Sequence, residues 1–368
     1  MKRFTIDPRP NYRERIESVC LLWHERDDYW NESAYYRLLS SEVDIIEAGT
    51  NELHARCLDA VQHVIDRRRY PEFGIPEQAW KLIEKSWNDD WPSIYGRFDL
   101  AFNGYDPPKM LEYNADTPTA LLESAVVQWY WQEELFPKSD QFNSIHEKLV
   151  ARWKQLIPKL PGGLVHFAAV EEVEDRITVT YLADTAVQAG LKTSLIPMDQ
   201  IGYDSSIKSF VGNNNEALQN VFKLYPWEWM VNEPFFEQAV NTPLLNWIEP
   251  PWKMILSNKA ILAILWELFP GHKNLLEAHF DGPHGMHQYV RKPFCSREGQ
   301  GVEILTGQHA HEAGEQYVYQ SFARPVTFSG RYPIIGSWVI GDEAAGIGIR
   351  ESSGPITNNT SQFVPHLF

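Results

Sequence analysis

Between Tyr12 and about Trp87 apolar residues recur at intervals of three and four, as in Ile16, Val19, Cys20 and Trp23 and again in Leu58, Val61, Val64 and Ile65, with charged positions between them. One apolar stripe per helical turn marks amphipathic helices laid on a core, so the pattern predicts a mainly α N-terminal part over residues 1–90. Near Trp91-Pro92 the period changes. Phe98, Leu100 and Phe102 alternate with Arg97, Asp99 and Ala101, and Leu111 and Tyr113 alternate with Met110, Glu112 and Asn114. Period two is that of half-buried strands, and the turn-rich Asn-Gly-Tyr-Asp-Pro-Pro run from Asn103 to Pro108 joins them as a β-hairpin. A helix follows over Pro118–Phe136. Strands are expected near Gly163–Ala169, Ile177–Leu182 and Lys192–Pro197, with a helix through Ala183–Ala189. A further helix, Lys259 to Phe269, precedes β-rich blocks at Gln288–Lys292, Val302–Leu305 with Tyr317–Gln320, and Tyr332–Arg350. The fold class is mixed α/β (α+β). The whole chain reads as one region with approximate lobes at 1–90, 91–250 and 251–368, and the Pro-bearing segments around Pro243–Trp252 and at Pro283 are the candidate boundaries.

Composition narrows the chemistry. With 43% hydrophobic and 13% aromatic residues, the chain of 368 residues is too apolar to be disordered. Lys and Arg number 33 against 49 Asp and Glu, a net charge of -16. That sign excludes non-specific binding of a nucleic-acid backbone; it serves either solubility or attraction of a cationic small molecule. Cys20, Cys57 and Cys295 are far apart and form no metal-ligand spacing, so neither a disulfide framework nor a zinc site is expected. No stretch approaches about 18 uninterrupted apolar residues, and no apolar run follows the two basic residues near the N-terminus. The expectation is a soluble, cytoplasmic protein with no membrane partner.

Centring the hairpin between Tyr105 and Asp106 opposes Asp99 to Glu112 and Arg97 to Asn114, all on one face. Facing carboxylates are destabilising unless a cation lies between them. An all-oxygen set of Asp, Glu and Asn suits Mg²⁺ bridging phosphates, and Arg97 beside it could stabilise a phosphoryl group in transfer. The alternative is a solvent-side ladder of ion pairs. A second segment, Gln288 to Leu305, runs from a strand ending in Lys292 through Ser-Arg-Glu-Gly-Gln-Gly into another strand. Its turn could lay backbone N–H groups over phosphates with Lys292 reaching them, or be an ordinary hairpin. A third, Tyr332 to Glu351, reads as two strands with a tight turn. Arg350 closes it, suited to an anionic substrate or to the surface.

Taken together these segments resemble the glutathionylspermidine synthetase family, in its ATP-grasp ligase part. The strings that carry the resemblance are YGRFDL, LEYNADTPT, KLYPWEWM, IEPPWKMILSNKAIL, RKPFCSREGQG and GIGIRESSGPITNNTSQFVPH, spread over nearly the whole chain. The resemblance implies an ATP-grasp fold preceded by a pre-ATP-grasp-like region. It also implies an activity that activates a carboxylate as an acyl phosphate and joins it to an amine. On the same basis Asp99, Glu112 and Asn114 are the Mg²⁺ ligands, and Arg97, Phe98, Asp99, Lys259, Lys292, Gly299, Gln320 and Ile356 contact ATP. Arg97 and Arg350 are the catalytic arginines, and Thr117 lies near the carboxylate substrate. Glu174 and Asp175 could hold a cationic amine or form a charged turn between strands. The length matches a ligase region without the amidase domain of the bifunctional synthetases, so hydrolysis of the product amide is not expected. Glutathione or a related peptide carboxylate, and spermidine or another amine, are the substrates the resemblance suggests.

Two other classes account for part of the same pattern. A glycoside hydrolase would use the 14 Trp for sugar stacking and the Asp99/Glu112 pair as acid and base, but it leaves Lys259, Lys292 and the glycine turn without a role. The other is a nucleotide-binding protein that has lost ligase activity and works through a partner; the retention of every matched metal and phosphate residue argues against it. Cys295, beside the glycine turn, is expected to be a small buried hydrophobe and not a nucleophile.

Overall fold

The computed structural model describes every residue except 25–27, 243–244, 298, 308–313, 315 and 358–360. Glu298 of the glycine turn, Asn358–Thr360 of the C-terminal loop and the start of the Pro243–Trp252 boundary segment therefore lie outside the described residues.

A five-stranded antiparallel sheet carries the site, in the order Gln362–Val364, Glu343–Ser352, Tyr332–Ile340, Tyr95–Ala101, Lys109–Asn114. The hairpin of Tyr95–Ala101 and Lys109–Asn114 is therefore completed by a strand more than 200 positions downstream, and the approximate 91–250 and 251–368 lobes share one sheet. The register is the expected one: Arg97 opposes Asn114 and Asp99 opposes Glu112, with a bulge just beyond, between Asp99 and Leu100. Bulges bend a strand and re-aim its side chains; here the alternation is preserved on the side that carries the chemistry.

The helix Ser40–Arg67 packs against this sheet. Its buried residues, among them Val43, Ile46, Leu53, Cys57, Ala60, Val61 and Val64, follow the three-and-four spacing seen in the sequence. It ends where Arg68 turns left-handed, with φ of 51°. Thr50 Oγ1 and Ser337 Oγ lie 2.7 Å apart across the contact. The start of the hairpin is held by a buried carboxylate. Glu249 accepts the N–H groups of Ile94 at 2.9 Å and Tyr95 at 3.2 Å, and is paired with Lys253, whose ammonium also donates to Tyr95 O at 2.6 Å.

Beside it lies a parallel sheet ordered Asn246–Ile248, Asn220–Leu224, Leu164–Ala169, Lys192–Pro197. A third, antiparallel sheet orders Ala278–His279, Tyr317–Ser321, Gln288–Pro293 and Glu303–Thr306, with the glycine turn between the last two in space.

Two expectations are corrected. The N-terminal part is not purely helical: Lys2–Thr5 and Ala34–Arg37 are strands that pair with each other, and His366–Leu367 joins the second. Strands of four residues show almost no period, and part of the pairing comes from the other end of the chain. The strand expected at Ile177–Leu182 and the helix after it are one helix, Val173–Gln188. The β-branched run Ile177-Thr178-Val179-Thr180 imitates a strand, but Thr178, Val179, Leu182, Ala183, Thr185 and Ala186 are buried at helical spacing, and packing overrides propensity. Glu174 and Asp175 accordingly sit in the first turn of that helix and not in a turn between strands, where negative charge suits the helix dipole.

Candidate active site

The hairpin face is not a solvated ladder. Arg97 is 6% and Asp99 5% exposed. The Arg97 guanidinium grips Asp99 through both oxygens, Nε to Oδ1 at 2.8 Å and the second nitrogen to Oδ2 at 3.1 Å, and donates to Thr119 O at 2.5 Å. A glycine on the neighbouring strand makes room for it. Gly336 and Gly348 oppose each other on the neighbouring strands, and a Cβ at Gly336 would stand 3.0 Å from Arg97 Cδ. One at Gly348 would stand 2.3 Å from Ser124 Oγ.

Across the strand pair Glu112 is linked to Lys259 Nζ at 3.1 Å and accepts Asn114 Nδ2 at 3.2 Å. Burial raises the Glu112 carboxyl, but Lys259, Lys292 and the Asn114 amide outweigh it and hold the group well below the usual carboxylate range. Lys292 comes from the third sheet. Its ammonium donates to Gln320 Oε1 at 2.7 Å and Leu111 O at 2.9 Å, while Gln320 Nε2 donates to Met110 O at 3.1 Å. Burial brings Lys292 down to about 8, with Glu112 opposing the shift and Lys259 adding to it. Lys259 Nζ also donates to Ser296 O at 2.7 Å, which ties it to the glycine turn.

Two clefts meet at these charges. One, of about 100 Å³ and open to solvent, has apolar walls that include Leu111, Val290, Ile304, Phe322 and Ile334, and it also takes in Asp99, Glu112, Lys292 and Gln320. Gly299 and Ile356 face each other in it: Gly299 has φ of +72°, and a Cβ there would lie 3.0 Å from Ile356 Cγ2 and 2.5 Å from Thr357 O. The other cleft is polar and contains Arg97, Glu112, Asn114, Thr117, Lys259 and Arg350. Arg350, on the strand Glu343–Ser352, lines both this cleft and a small crevice shared with Arg97 and Asp99.

Most of the residues expected from the sequence thus converge. Phe98 does not: its side chain is fully buried on the opposite face, stacked on Tyr113 at 3.8 Å between ring centres, so only its backbone can approach a ligand. Asp175 is half-buried; burial raises its carboxyl and Arg297 opposes the shift. Glu174 instead lies among the charges around Tyr29. Cys295 is not a buried hydrophobe but is exposed on the rim of the polar cleft. Its sulfur is packed among the cleft atoms, which pushes the thiol up to about 11, away from nucleophilic character.

The sequence reading missed four residues. Arg297 donates to Thr117 Oγ1 at 3.0 Å and Glu228 Oε1 at 3.3 Å and lies 5.0 Å over the Trp229 ring. Asp116, beneath the polar cleft, binds Lys223 at 2.7 Å and the Trp227 N–H at 2.8 Å. Arg297, Asp116 and Glu228 sat inside strings already singled out, in the glycine turn, LEYNAD and KLYPWEWM, and so did Lys223; only their mutual contacts were invisible.

Among the described residues no group of three or more His, Cys, Asp or Glu side chains is arranged to hold a metal. The hairpin offers two carboxylates and an amide. Mg²⁺ characteristically takes one or two carboxylates and completes its shell with phosphate oxygens and water, so this donor set fits a metal that arrives with a nucleotide.

Comparison with known proteins assigns the class. Residues 3–368 match the family model described as glutathionylspermidine synthase pre-ATP-grasp, and the chain belongs to this family. It is 40% identical, over the whole length of both chains, to a Haemophilus influenzae protein with the provisional name acid–amine ligase. It is 30% identical to the trypanothione synthetase of Crithidia fasciculata and 25% identical to the bifunctional glutathionylspermidine synthetase/amidase of Escherichia coli, over 95% and 90% of this chain. The matches span 57% and 58% of those two longer relatives. The protein is a carbon–nitrogen ligase. No helix among the described residues is long and apolar enough to cross a membrane.

Proposed function

We propose that the chain is an ATP- and Mg²⁺-dependent acid–amine ligase of ATP-grasp type that forms an amide through an acyl phosphate. The observation that carries this reading is the meeting of an apolar slot and a polar cleft at one cluster of polar groups, the buried Arg97, Asp99, Lys259 and Lys292 with the half-buried Glu112 and Asn114.

Adenine would lie against the apolar walls of the slot, with Gln320, Gly299 and Ile356 among the residues that contact the nucleotide. Lys259 and Lys292 neutralise the phosphate chain as point charges. Asp99, Glu112 and Asn114 would hold Mg²⁺, which would supply charge neutralisation of the transferring phosphoryl group. The acid substrate lies in the polar cleft near Thr117, with its carboxylate toward Arg97 and Arg350. One carboxylate oxygen attacks the γ-phosphorus, the bond to the β-γ bridging oxygen breaks, and ADP leaves. Arg97 and Arg350 stabilise the charge spread over the phosphoryl oxygens. A neutral amine then attacks the acyl carbon, inorganic phosphate departs, and the amine nitrogen loses its proton. None of these steps calls for a nucleophilic Ser or Cys, in keeping with the raised Cys295 thiol. A peptide carboxylate such as that of glutathione, and a polyamine such as spermidine, are the substrate classes that the relatives' names suggest.

The test is a screen for ADP release over paired carboxylates and amines with Mg²⁺. Release that needs both partners and yields the amide is expected. Tight ATP binding with no turnover by any pair would instead favour a nucleotide-binding protein without ligase activity.

A further inference from the structure

A groove outside both clefts runs between the helix Val173–Gln188, the start of the helix Ile145–Leu156 and the helical stretch Glu123–Leu135, with a volume of about 680 Å³. A π-helical turn, Glu123–Val127, separates it from the ligation chemistry: Leu122, Ala125 and Val126 face the groove, whereas Ser124 faces the crevice of Arg97 and Arg350. Such turns are rare and often mark functional sites.

The groove presents rings and acceptors. Trp129 and Tyr130 meet edge-to-face at 4.8 Å and remain 43% and 44% exposed, so the core does not account for them. At the polar end a hydrogen-bond chain links two of these helices. Gln188 uses its amide nitrogen to donate to Asp184 Oδ2 at 2.8 Å, so its oxygen accepts from His146 Nε2 at 3.2 Å. His146 Nδ1 and the Tyr181 hydroxyl are hydrogen-bonded at 3.0 Å. Glu147, on the facing helix, has no hydrogen bond or ion pair among the described residues, and no Lys or Arg lines the groove. Aromatic faces, two carboxylates and no fixed cation complement a positive ligand with an apolar body.

We propose that this groove binds an organic cation, a protonated amine on an apolar chain, at a site distinct from the ligation cleft. The ammonium sits between Asp184 and Glu147, and the chain lies over Trp129.

Isothermal titration of the full chain with n-octylammonium and with octanoate tests this. Octylammonium should bind with a stoichiometry near one, and octanoate, of the same apolar length and opposite charge, about tenfold or more weaker. The double variant Glu147→Gln/Asp184→Asn and the single variant Trp129→Ala should each weaken octylammonium about tenfold, while binding of Mg²⁺ and a non-hydrolysable ATP analogue stays at the wild-type level. That last measurement shows the variants are folded and is the one that would fail with the ligase reading itself. Undetectable octylammonium binding, equal binding of octanoate, unchanged binding in the groove variants, or displacement by the nucleotide analogue would each overturn the proposal.

Discussion

Asp116→Asn tests how the acceptor loop is held. The residue follows the strand of Glu112 and Asn114 and precedes Thr117, so its placement sets theirs. Lys223 and Asp116 are 0% and 2% exposed, with Lys223 Nζ 2.7 Å from Oδ1, 2.9 Å from Tyr225 O and 4.5 Å over the Trp227 ring. Asparagine keeps the shape and can still accept the Trp227 N–H; only the countercharge goes. The Coulomb attraction at this separation is about 6 kcal/mol at an effective dielectric of 20. The loss is capped, because Lys223 can instead shed its proton. Burial already holds its pKa down, with Asp116 opposing the shift, and keeping an ordinary lysine neutral at pH 7 costs about 5 kcal/mol. We therefore expect a loss of about 3–5 kcal/mol at pH 7.

The sign with pH follows. A lysine whose folded pKa is depressed destabilises the folded state below its unfolded pKa, and the penalty shrinks as pH rises toward that value. The unfolded variant binds the extra proton, so its stability relative to wild type should rise by about 1.4 kcal/mol per pH unit between pH 7 and 9. Urea unfolding at both pH values, with the m-value unchanged, measures this. Adding Lys223→Met should recover most of the loss, since it removes the orphaned cation. A deficit below about 1 kcal/mol at pH 7, or one that does not vary with pH, would refute a closed, charged pair.

Other expectations concern the cleft itself. Asp99→Asn should lower Mg-dependent ADP release by about 10²–10³-fold, and because it leaves the buried Arg97 without its countercharge the unfolding midpoint should fall as well, so release is compared at a temperature where the variant is folded; full activity would remove Asp99 from the metal set. Arg97→Ala should lower kcat with KM nearly constant, as befits a group acting on charge in transfer, and the reverse pattern in steady-state kinetics would make it a binding residue. Gly299→Val combines a left-handed φ with a Cβ driven onto Thr357 O, so nucleotide affinity in a titration should fall about tenfold or more with the fold intact. Lys292 loses its charge near pH 8 in the unliganded protein. Nucleotide affinity should thus weaken as pH rises from 7 to 9, and Lys292→Arg, whose guanidinium stays charged, should flatten that slope.

The hairpin was legible because its information is local. Two period-two runs and a turn fix which residues oppose, and the register of Arg97 with Asn114 and Asp99 with Glu112 is the one present. The Ser40–Arg67 helix was legible for the same reason, as a long unbroken apolar stripe. What failed depended on partners far along the chain. The N-terminal strands are completed by His366–Leu367, and the β-branched run in Val173–Gln188 is helical because of what it packs on. The burial of Phe98 against Tyr113 was implicit in the alternation, since a residue between Arg97 and Asp99 must face the other way. The Arg297 contacts and the Asp116–Lys223 pair follow from no spacing at all, because each joins separate elements.

The sheet that carries the Asp99/Glu112 hairpin bears on how the enzyme comes into being. Tyr95–Ala101 gains its inner neighbour only when Tyr332–Ile340 arrives, and that strand is in turn flanked by Glu343–Ser352 and Gln362–Val364. Pairings of such long sequence separation form late, after much chain entropy has been lost. A nascent chain that already displays Asp99, Glu112, Lys259 and Lys292 therefore has no complete cleft until Tyr332–Ile340 has been made and has paired, and a truncation before Tyr332 should not be rescued by nucleotide.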